Sequence, residues 1–404
     1  MRMKQYNILI IGQLPKEAGG TYTTGIARVV ENLYRKKFAD ETEMYWYFTN
    51  VPQSVAAEKC TYENQYNGYQ KRPLKMLANI LCHPFRTIRE WKHYKTVDEV
   101  NPLRFEFYKA NIQRVIAKVQ PDLIHLHGAG MSPLYYANMK TNIPLLITFH
   151  GVMYNEGDKT SWHFKPGYQA TMQMADYFTV LNKETKRKAL ALGMPENKCT
   201  TIPNGVDTNH FYYSEGLRME MREKFNVQED ELVFMTTGVV IDRKGQYDFI
   251  LALEQLGINY QYWIIGRGPD EQKIVDYVAA HHLEQKVKLL GYVDGHELIK
   301  YLSTADVYAH VSTTEGQALS EIEAYATGLR VIVRKEIAAT VVGDASSDHH
   351  TYYVLDMDNQ KPSEMKVWLQ QRNIERKSKG NYDWSVVARK YGELYKKILD
   401  TTKR

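Results

Sequence analysis

Short apolar, β-branched runs alternate along this chain with longer stretches in which apolar residues recur at helical spacing. Tyr6–Gly12, Glu43–Asn50, Leu123–Gly128, Pro144–Gly151, Tyr177–Asn182 and Lys198–Gly205 are such runs, bounded by turn residues, and they predict the strands of a first parallel sheet. A second series follows at Leu232–Val239, Gln261–Gly266, Val287–Val293, Val307–Ser312, Arg330–Arg334 and Thr351–Asp356. Two successive strand–helix series predict an α/β chain of two doubly wound, Rossmann-like domains facing each other across a cleft. The boundary is expected within 205–230, where NGVDTNHFYYSEG is rich in turn residues, giving a first domain of 1–205 and a second of 206–384.

Composition narrows the class. With 404 residues, 44% of them hydrophobic and 25% charged, the chain can bury two cores and is not of disordered type. The apolar run Ile8–Ile11 is too short for a signal-peptide core, and no stretch approaches the ~20 apolar residues of a membrane span. Cys60, Cys82 and Cys199 lie far apart with no C-x-x-C pair, which argues against a disulfide framework or a zinc site and for a reducing, cytoplasmic setting. No nucleic-acid partner is expected.

The most informative stretch is Val311–Val333, VSTTEGQALSEIEAYATGLRVIV, which reads as strand end, glycine loop, helix and next strand. That order points backbone N–H groups and the positive end of a helix dipole at an anion, usually a phosphate. Glu315 in the loop and Glu323 on the helix, with seven residues between them, would set two acceptor-only groups beside it, suited to hydroxyls. Phosphate beside hydroxyls suggests a nucleotide or a sugar nucleotide. Ser320 and Glu323 also fit a capping box that would merely satisfy the helix start.

EGQALSEIEAYATG resembles the E-x7-E signature of retaining glycosyltransferases of the GT-B fold, the family 4 group, whose usual form is close to E-G-F-G-L-P-x-x-E-A-M-A-x-G-x-P-V. Both acids, Gly316, Leu319, Ala324, Ala326, Gly328 and Val331 are kept, while Gln317, Ala318 and Arg330 stand where Phe, Gly and Pro are common. The likeness extends to other motifs. After the first strand, GQLPKEAGGTYTTGIARVVENL is similar to the loop through which the family's first domain approaches the donor diphosphate by backbone, and either Gly19-Gly20 or Thr24-Gly25 fills that place. Ile26-Ala27-Arg28-Val29 continues like the family helix, which favours Gly25. TFHG matches the family's T-x-H, and the resemblance makes His150 a contact of the donor sugar. His125 and His127 share a strand face, but with no third ligand they do not suggest a metal site.

ADYFTVLN and TTIPNGVDTNHF resemble the segments that mark the family's hinge, with Asn182 in place of a commoner Ser. TTGVVIDRKGQYDFI resembles G-R-L-x-x-x-K-G, in which an Arg and a Lys neutralise the donor phosphates. Lys244-Gly245 is kept, Val239 stands where the Arg is usual, and Arg243 substitutes from the other side of the loop. Gly266-x-Gly268-Pro269 and the LLGYVDG segment around Val293 match stretches that lie beside the nucleotide in that family. Asp356-Met357-Asp358 is a D-x-D, the metal signature of a different glycosyltransferase fold, but its place after a strand reads as a turn. The amphipathic C-terminal helix, about 385–404, resembles the family ending that crosses back to the first domain.

The resemblance thus implies a retaining transfer of a sugar from a nucleotide sugar to an acceptor hydroxyl, in surface polysaccharide or glycolipid assembly, with no metal or other cofactor. It assigns Glu315, His150 and Lys244 to catalysis. It assigns Gly19, Gly20, Gly25, Arg243, Gly268, Val293, Gly316, Leu319, Ser320 and Glu323 to the donor. The alternatives are a GT-B epimerase or phosphorylase and a non-catalytic sugar-nucleotide-binding subunit. One stretch lies outside the likeness. Residues 71–95 carry Lys71, Arg72, Lys75, Arg86, Arg89, Lys92 and Lys95 against Glu90 alone, interleaved with Leu74, Met76, Leu77, Ile80, Leu81, Phe85, Ile88 and Trp91. Such a composition suits either a helix in an anionic membrane interface, with a lipid-linked acceptor, or a helical insertion packed on the first domain.

Overall fold

The computed structural model describes residues 5–20, 24–51, 65–67, 73–94, 102–128, 142–152, 154, 159–371 and 376–402. The chain divides into two compact units, Met1–Pro203 with Trp384–Arg404, and Asn204–Asp383. In the first unit the elements run β1 (Tyr6–Gly12), α1 (Gly25–Tyr34), β2 (Thr42–Phe48), β3 (Gln65–Asn67), α2 (Pro73–Cys82), α3 (Pro84–Tyr94), α4 (Pro102–Val119) and β4 (Leu123–His127). There follow β5 (Leu145–Phe149), α5 (Lys165–Met174), β6 (Tyr177–Val180), α6 (Lys183–Ala191) and β7 (Cys199–Thr201). The second unit holds α7 (Glu215–Lys224), β8 (Leu232–Thr237), α8 (Gln246–Glu254), β9 (Tyr260–Ile265), α9 (Glu271–Ala280), β10 (Val287–Gly291) and α10 (Leu298–Thr304). It continues with β11 (Val307–His310), α11 (Leu319–Ala326), β12 (Arg330–Arg334), β13 (Tyr352–Leu355) and α12 (Pro362–Gln370), and the chain ends in α13 (Trp384–Thr402).

Both sheets are parallel, and this follows from the sequence. Strands covered by helices on both faces need uninterrupted apolar runs; Ile8 to Ile11, Leu145 to Phe149 and Val331 to Val333 are buried throughout. The first sheet has the order β3-β2-β1-β4-β5-β6-β7, and the second β10-β9-β8-β11-β12-β13. Each reverses direction once, between β1 and β4 in the first and between β8 and β11 in the second. In open α/β sheets a ligand crevice opens beyond the carboxyl ends of the strands at such a point. Here those ends are Gly12 and His127 in one unit and Thr237 and His310 in the other.

The predicted strands run past the observed carboxyl ends, because the loops that follow, such as Ile202–Gly205, contain buried residues too. The edge strand β3 was not anticipated. Its residues Gln65-Tyr66-Asn67 form no apolar run, and as an edge they pair on one side only, with Trp46–Phe48. No helix among the described residues is long and apolar enough to cross a membrane.

Helix α13 packs into the first unit, its Trp384, Val387, Ala388, Tyr391, Tyr395 and Ile398 buried on one face. Tyr395 stacks on Phe38 at 5.9 Å, and its hydroxyl lies 2.7 Å from Nδ1 of the fully buried His125. Tyr395→Phe keeps the ring and strands that nitrogen, so the variant is expected to lose about 1–3 kcal/mol of unfolding free energy. Urea denaturation measures the loss, and an unchanged midpoint would contradict the role given to this contact.

Candidate active site

The second unit's switch point is built from two loops locked together. One follows β8 and turns at Asp242–Lys244; the other follows β11 and carries Thr313 to Ala318. Gly245 takes a positive φ of 70° where a Cβ would stand 2.2 Å from the Val311 carbonyl oxygen, so only glycine lets the loops approach this closely. The Thr313 N–H donates to the Arg243 carbonyl at 2.9 Å, and the Arg243 guanidinium donates to the Thr314 carbonyl at 2.8 Å. Against this clasp the Lys244 ammonium sits 2.6 Å from Glu315 Oε1, with Arg243 at 3.5 Å from the same oxygen. The Lys244 and Glu315 side chains are only 17% and 13% exposed, so water screens the pair weakly.

Burial alone would raise the Glu315 carboxyl, but the Lys244 charge and hydrogen bond, with smaller help from a hydrogen bond of Ser312, hold it below its ordinary value. His310, at the end of β11, is pushed down to about 4 by burial and is neutral in the ordinary pH range. His310 and Ser312 were missed by the motif reading. The available signal was a histidine ending a buried strand immediately before the acidic loop.

Helix α11 begins at Leu319 behind Ala318, whose side chain cannot cap it. The capping box read from Ser320 and Glu323 is therefore not formed; Ser320 instead hydrogen-bonds the buried Tyr308 hydroxyl, which also meets Thr237 Oγ1 at 3.0 Å. The loop that carries Glu315, with its two cations, leads directly into this helix start, which no side chain caps. Gly316 and Leu319 are half-buried at its rim, and Glu323 is half-buried on the helix itself. Neighbouring loops are equally compressed: a Cβ at Gly266 would meet the Gly238 carbonyl at 1.8 Å, and one at Gly268 the Val240 carbonyl at 2.0 Å. Gly268 N–H donates to Glu271, while Val293 packs against the core that holds Trp263 and Leu302. Asp356 of the D-x-D accepts from Lys335 Nζ at 2.7 Å and from the Asp358 and Asn359 N–H groups, which is a turn with an ion pair.

In the first unit the residues are arranged differently. Gly20 packs where a Cβ would be 1.9 Å from the Leu14 carbonyl, and Gly19 takes a φ of 99°, so this pair serves its own turn. Gly25 opens α1, exposed, with open space where its Cβ would be, behind a Thr24 hydroxyl that accepts from the Ala27 N–H. His125 is saturated, with Tyr395 on Nδ1 and Thr148 Oγ1 at 2.7 Å on Nε2. His127 Nδ1 meets His150 Nε2 at 3.1 Å. Burial lowers His125 to about 3 and His150 to about 4, and His127 also falls well below its ordinary value, so all three rings are neutral and one proton lies between His127 and His150. The two units thus hold separate clusters, one of opposed charges and one of neutral imidazoles.

Residues 24–210 match the model of Glycosyltransferase Family 4 and residues 218–357 that of Glycosyl transferases group 1. The chain is 27% identical over 247 residues to the alpha-monoglucosyldiacylglycerol synthase of Acholeplasma laidlawii, covering 55% of this chain and 60% of that protein. It is 26% identical over 220 residues to the amylovoran biosynthesis glycosyltransferase AmsK of Erwinia amylovora, covering 52% of each. The chain spans about half the length of the curated relatives it matches. Among solved structures, a glycosyltransferase from Rickettsia africae superposes with a TM-score of 0.69 at 17% identity, covering 98% of this chain and 99% of that one. HepE of Anabaena, solved with UDP and glucose, superposes with a TM-score of 0.61 at 15% identity, covering 99% and 100%. These likenesses show the GT-B fold.

Lys244→Met would leave burial as the dominant influence on Glu315 and raise its carboxyl. In the wild type the pair's stabilisation is present above the unfolded value of 4.5 and is lost as pH falls through the lowered folded value. The variant is therefore expected to be less stable by about 3 kcal/mol at neutral pH, with the gap narrowing below about pH 4. Urea titrations at the two pH values test this; a gap independent of pH would show that the loss is not electrostatic.

Proposed function

We propose that this chain, which carries both domains of a GT-B glycosyltransferase, retains anomeric configuration while moving a sugar from a nucleotide sugar to an acceptor hydroxyl. The observation that carries this reading is the Lys244–Glu315 contact at the switch point, beside Arg243 and the start of α11. The nucleotide diphosphate departs with the electron pair of the glycosidic C–O bond. Arg243, Lys244 and the helix N–H groups neutralise it, so that no metal is needed. The acceptor hydroxyl attacks the same face of the oxocarbenium-like sugar and passes its proton to the departing diphosphate oxygen. Glu315 holds sugar hydroxyls, Glu323 the ribose, and neutral His150 donates to the sugar. Chain-wide likeness to HepE, solved with UDP and glucose, favours a UDP-sugar as the first donor to try.

Glu315→Gln keeps the shape and removes the charge, so turnover should fall more than ten-fold, about 1.4 kcal/mol or more in barrier. Glu323→Gln should mainly raise the nucleotide dissociation constant. Wild-type turnover by Glu315→Gln contradicts the assignment, and activity abolished by EDTA and restored by Mg²⁺ contradicts metal-free transfer.

A lipid-linked acceptor is favoured by α2 and α3. Leu74, Leu77 and Leu81 follow one helical stripe and are 80%, 52% and 70% exposed, and Phe85 and Ile88 on α3 are 88% and 49% exposed. Both helices also run against α4, so these five side chains are an apolar surface left over from that packing, of the kind that meets a partner or a membrane. Arg89 and Lys92 are exposed beside them. Lys71, Arg72 and Lys95 lie outside the described residues, as do the side chains of Lys75 and Arg86. Seven basic residues against one acid match an anionic lipid surface at the inner face of a membrane, with each basic residue worth ~1 kcal/mol there. Co-sedimentation with anionic and neutral vesicles across a salt series tests this. We expect preference for anionic vesicles, loss with salt, and loss when Leu81 and Phe85 become Ser; equal partitioning to both vesicle types would assign the face to another partner.

A further inference from the structure

Beneath the acidic loop lies a carboxyl for which the proposed reaction has no use. Glu321 is 1% exposed, on the side of α11 opposite to Glu323, two residues away along the helix. Each of its oxygens has a donor. The Tyr352 hydroxyl of β13 donates to Oε1 at 2.9 Å, and the Val342 N–H donates to Oε2 at 3.2 Å. The same hydroxyl accepts from the Gly343 N–H at 3.2 Å, and the Tyr382 hydroxyl donates to the Val342 carbonyl at 2.5 Å. A Cβ at Gly343 would lie 2.5 Å from the Tyr352 ring, so the 342–343 turn is pressed onto that tyrosine. The other titratable groups facing the network are Tyr325 on α11, Tyr382 and Lys379 on the segment leading to α13, and Asp348 before β13. Lys379 sits 3.9 Å over the Tyr325 ring and donates to Thr351 Oγ1.

We infer that Glu321 is a positioning residue of the donor site: its ionised carboxylate fastens the inner face of α11 to the 342–343 turn and to β13, and so fixes where the helix start and Glu323 stand. The inference rests on the donor-site reading given above and adds a residue that touches no substrate. Both donors serve an anion. A proton on Oε1 would set an O–H against the Tyr352 hydroxyl, and one on Oε2 would leave two neutral bonds, each roughly half as strong as its charge-assisted counterpart. Anchoring is therefore strongest in the ionised form.

Ionisation here is costly, because burial raises the carboxyl from 4.5 to about 7 against the pull of Tyr352, Val342 and Lys379. For an acid raised on folding, the neutral form's stability is present below 4.5 and is lost as pH rises towards 7. Glu321→Gln, a neutral mimic, should thus melt with the wild type near pH 5 and several degrees above it at pH 8. Positioning predicts the opposite sign for binding. At pH 6 the dissociation constants of variant and wild type for UDP should agree within two-fold, and at pH 8 the variant should bind at least five-fold more weakly.

The experiment is a melting series and a calorimetric UDP titration at each pH, on wild type, Glu321→Gln and Tyr352→Phe. Tyr352→Phe removes one donor from the anion and should move the wild-type midpoint to higher pH. A variant-to-wild-type affinity ratio that stays constant from pH 6 to pH 8 overturns positioning. A melting difference that also stays constant overturns the ionised anchor. If no nucleotide binds to any of the three proteins, the donor-site reading fails, while the melting series still decides the ionised anchor by itself.

Discussion

An ammonium and a carboxylate mostly hidden from water can persist together only if their surroundings hold them together, and the second unit is organised to do that for Lys244 and Glu315. The two residues come from loops on adjacent strands, β8 and β11, whose carboxyl ends lie side by side because the strand order reverses there. Gly245 removes the Cβ that would otherwise keep the loops apart, and the Arg243–Thr313 and Arg243–Thr314 bonds close the remaining gap. The parallel sheet, the glycine turn and the helix start are all conditions of that one contact. Without the Lys244 charge, burial would favour a protonated Glu315.

The electrostatic character of the two units differs for the same reason that their sequences do. In the first unit, three histidines end or follow buried strands with no carboxylate among their bonded partners, so desolvation keeps them neutral. A neutral imidazole offers one donor and one acceptor and adds no charge to its surroundings. In the second unit the cations and the acid are near enough to set each other's state. Glu321, behind α11, is a further acid of the second unit, with the Tyr352 hydroxyl and the Val342 N–H as its donors.

Much of this was legible in the residues. Uninterrupted apolar runs gave the strands of both sheets, because a strand covered on both faces has no polar side to display. The short polar β3 was invisible for the converse reason. Glu315, Lys244 and Arg243 stood out through motif spacing, yet nothing local in the sequence says that the first two touch; that depends on Gly245 approaching Val311. Ser320 and Glu323 looked like a cap because spacing alone cannot tell where a helix begins. Their helix starts two residues earlier than such a cap requires, and Ser320 turns to Tyr308 instead. His125 and His127 share a face as their spacing implies, with ring centroids 4.3 Å apart, but the meeting of His127 with His150 joins two strands and needed the sheet order.

The central claim is that the clasped loops of the second unit form a nucleotide diphosphate site. Amide hydrogen exchange followed by mass spectrometry, with UDP, GDP and ADP added in turn, tests it most directly. With the nucleotide that binds, the account predicts slowed exchange in peptides spanning 236–245, 264–268 and 311–326. Binding without protection in any of these three stretches would contradict it.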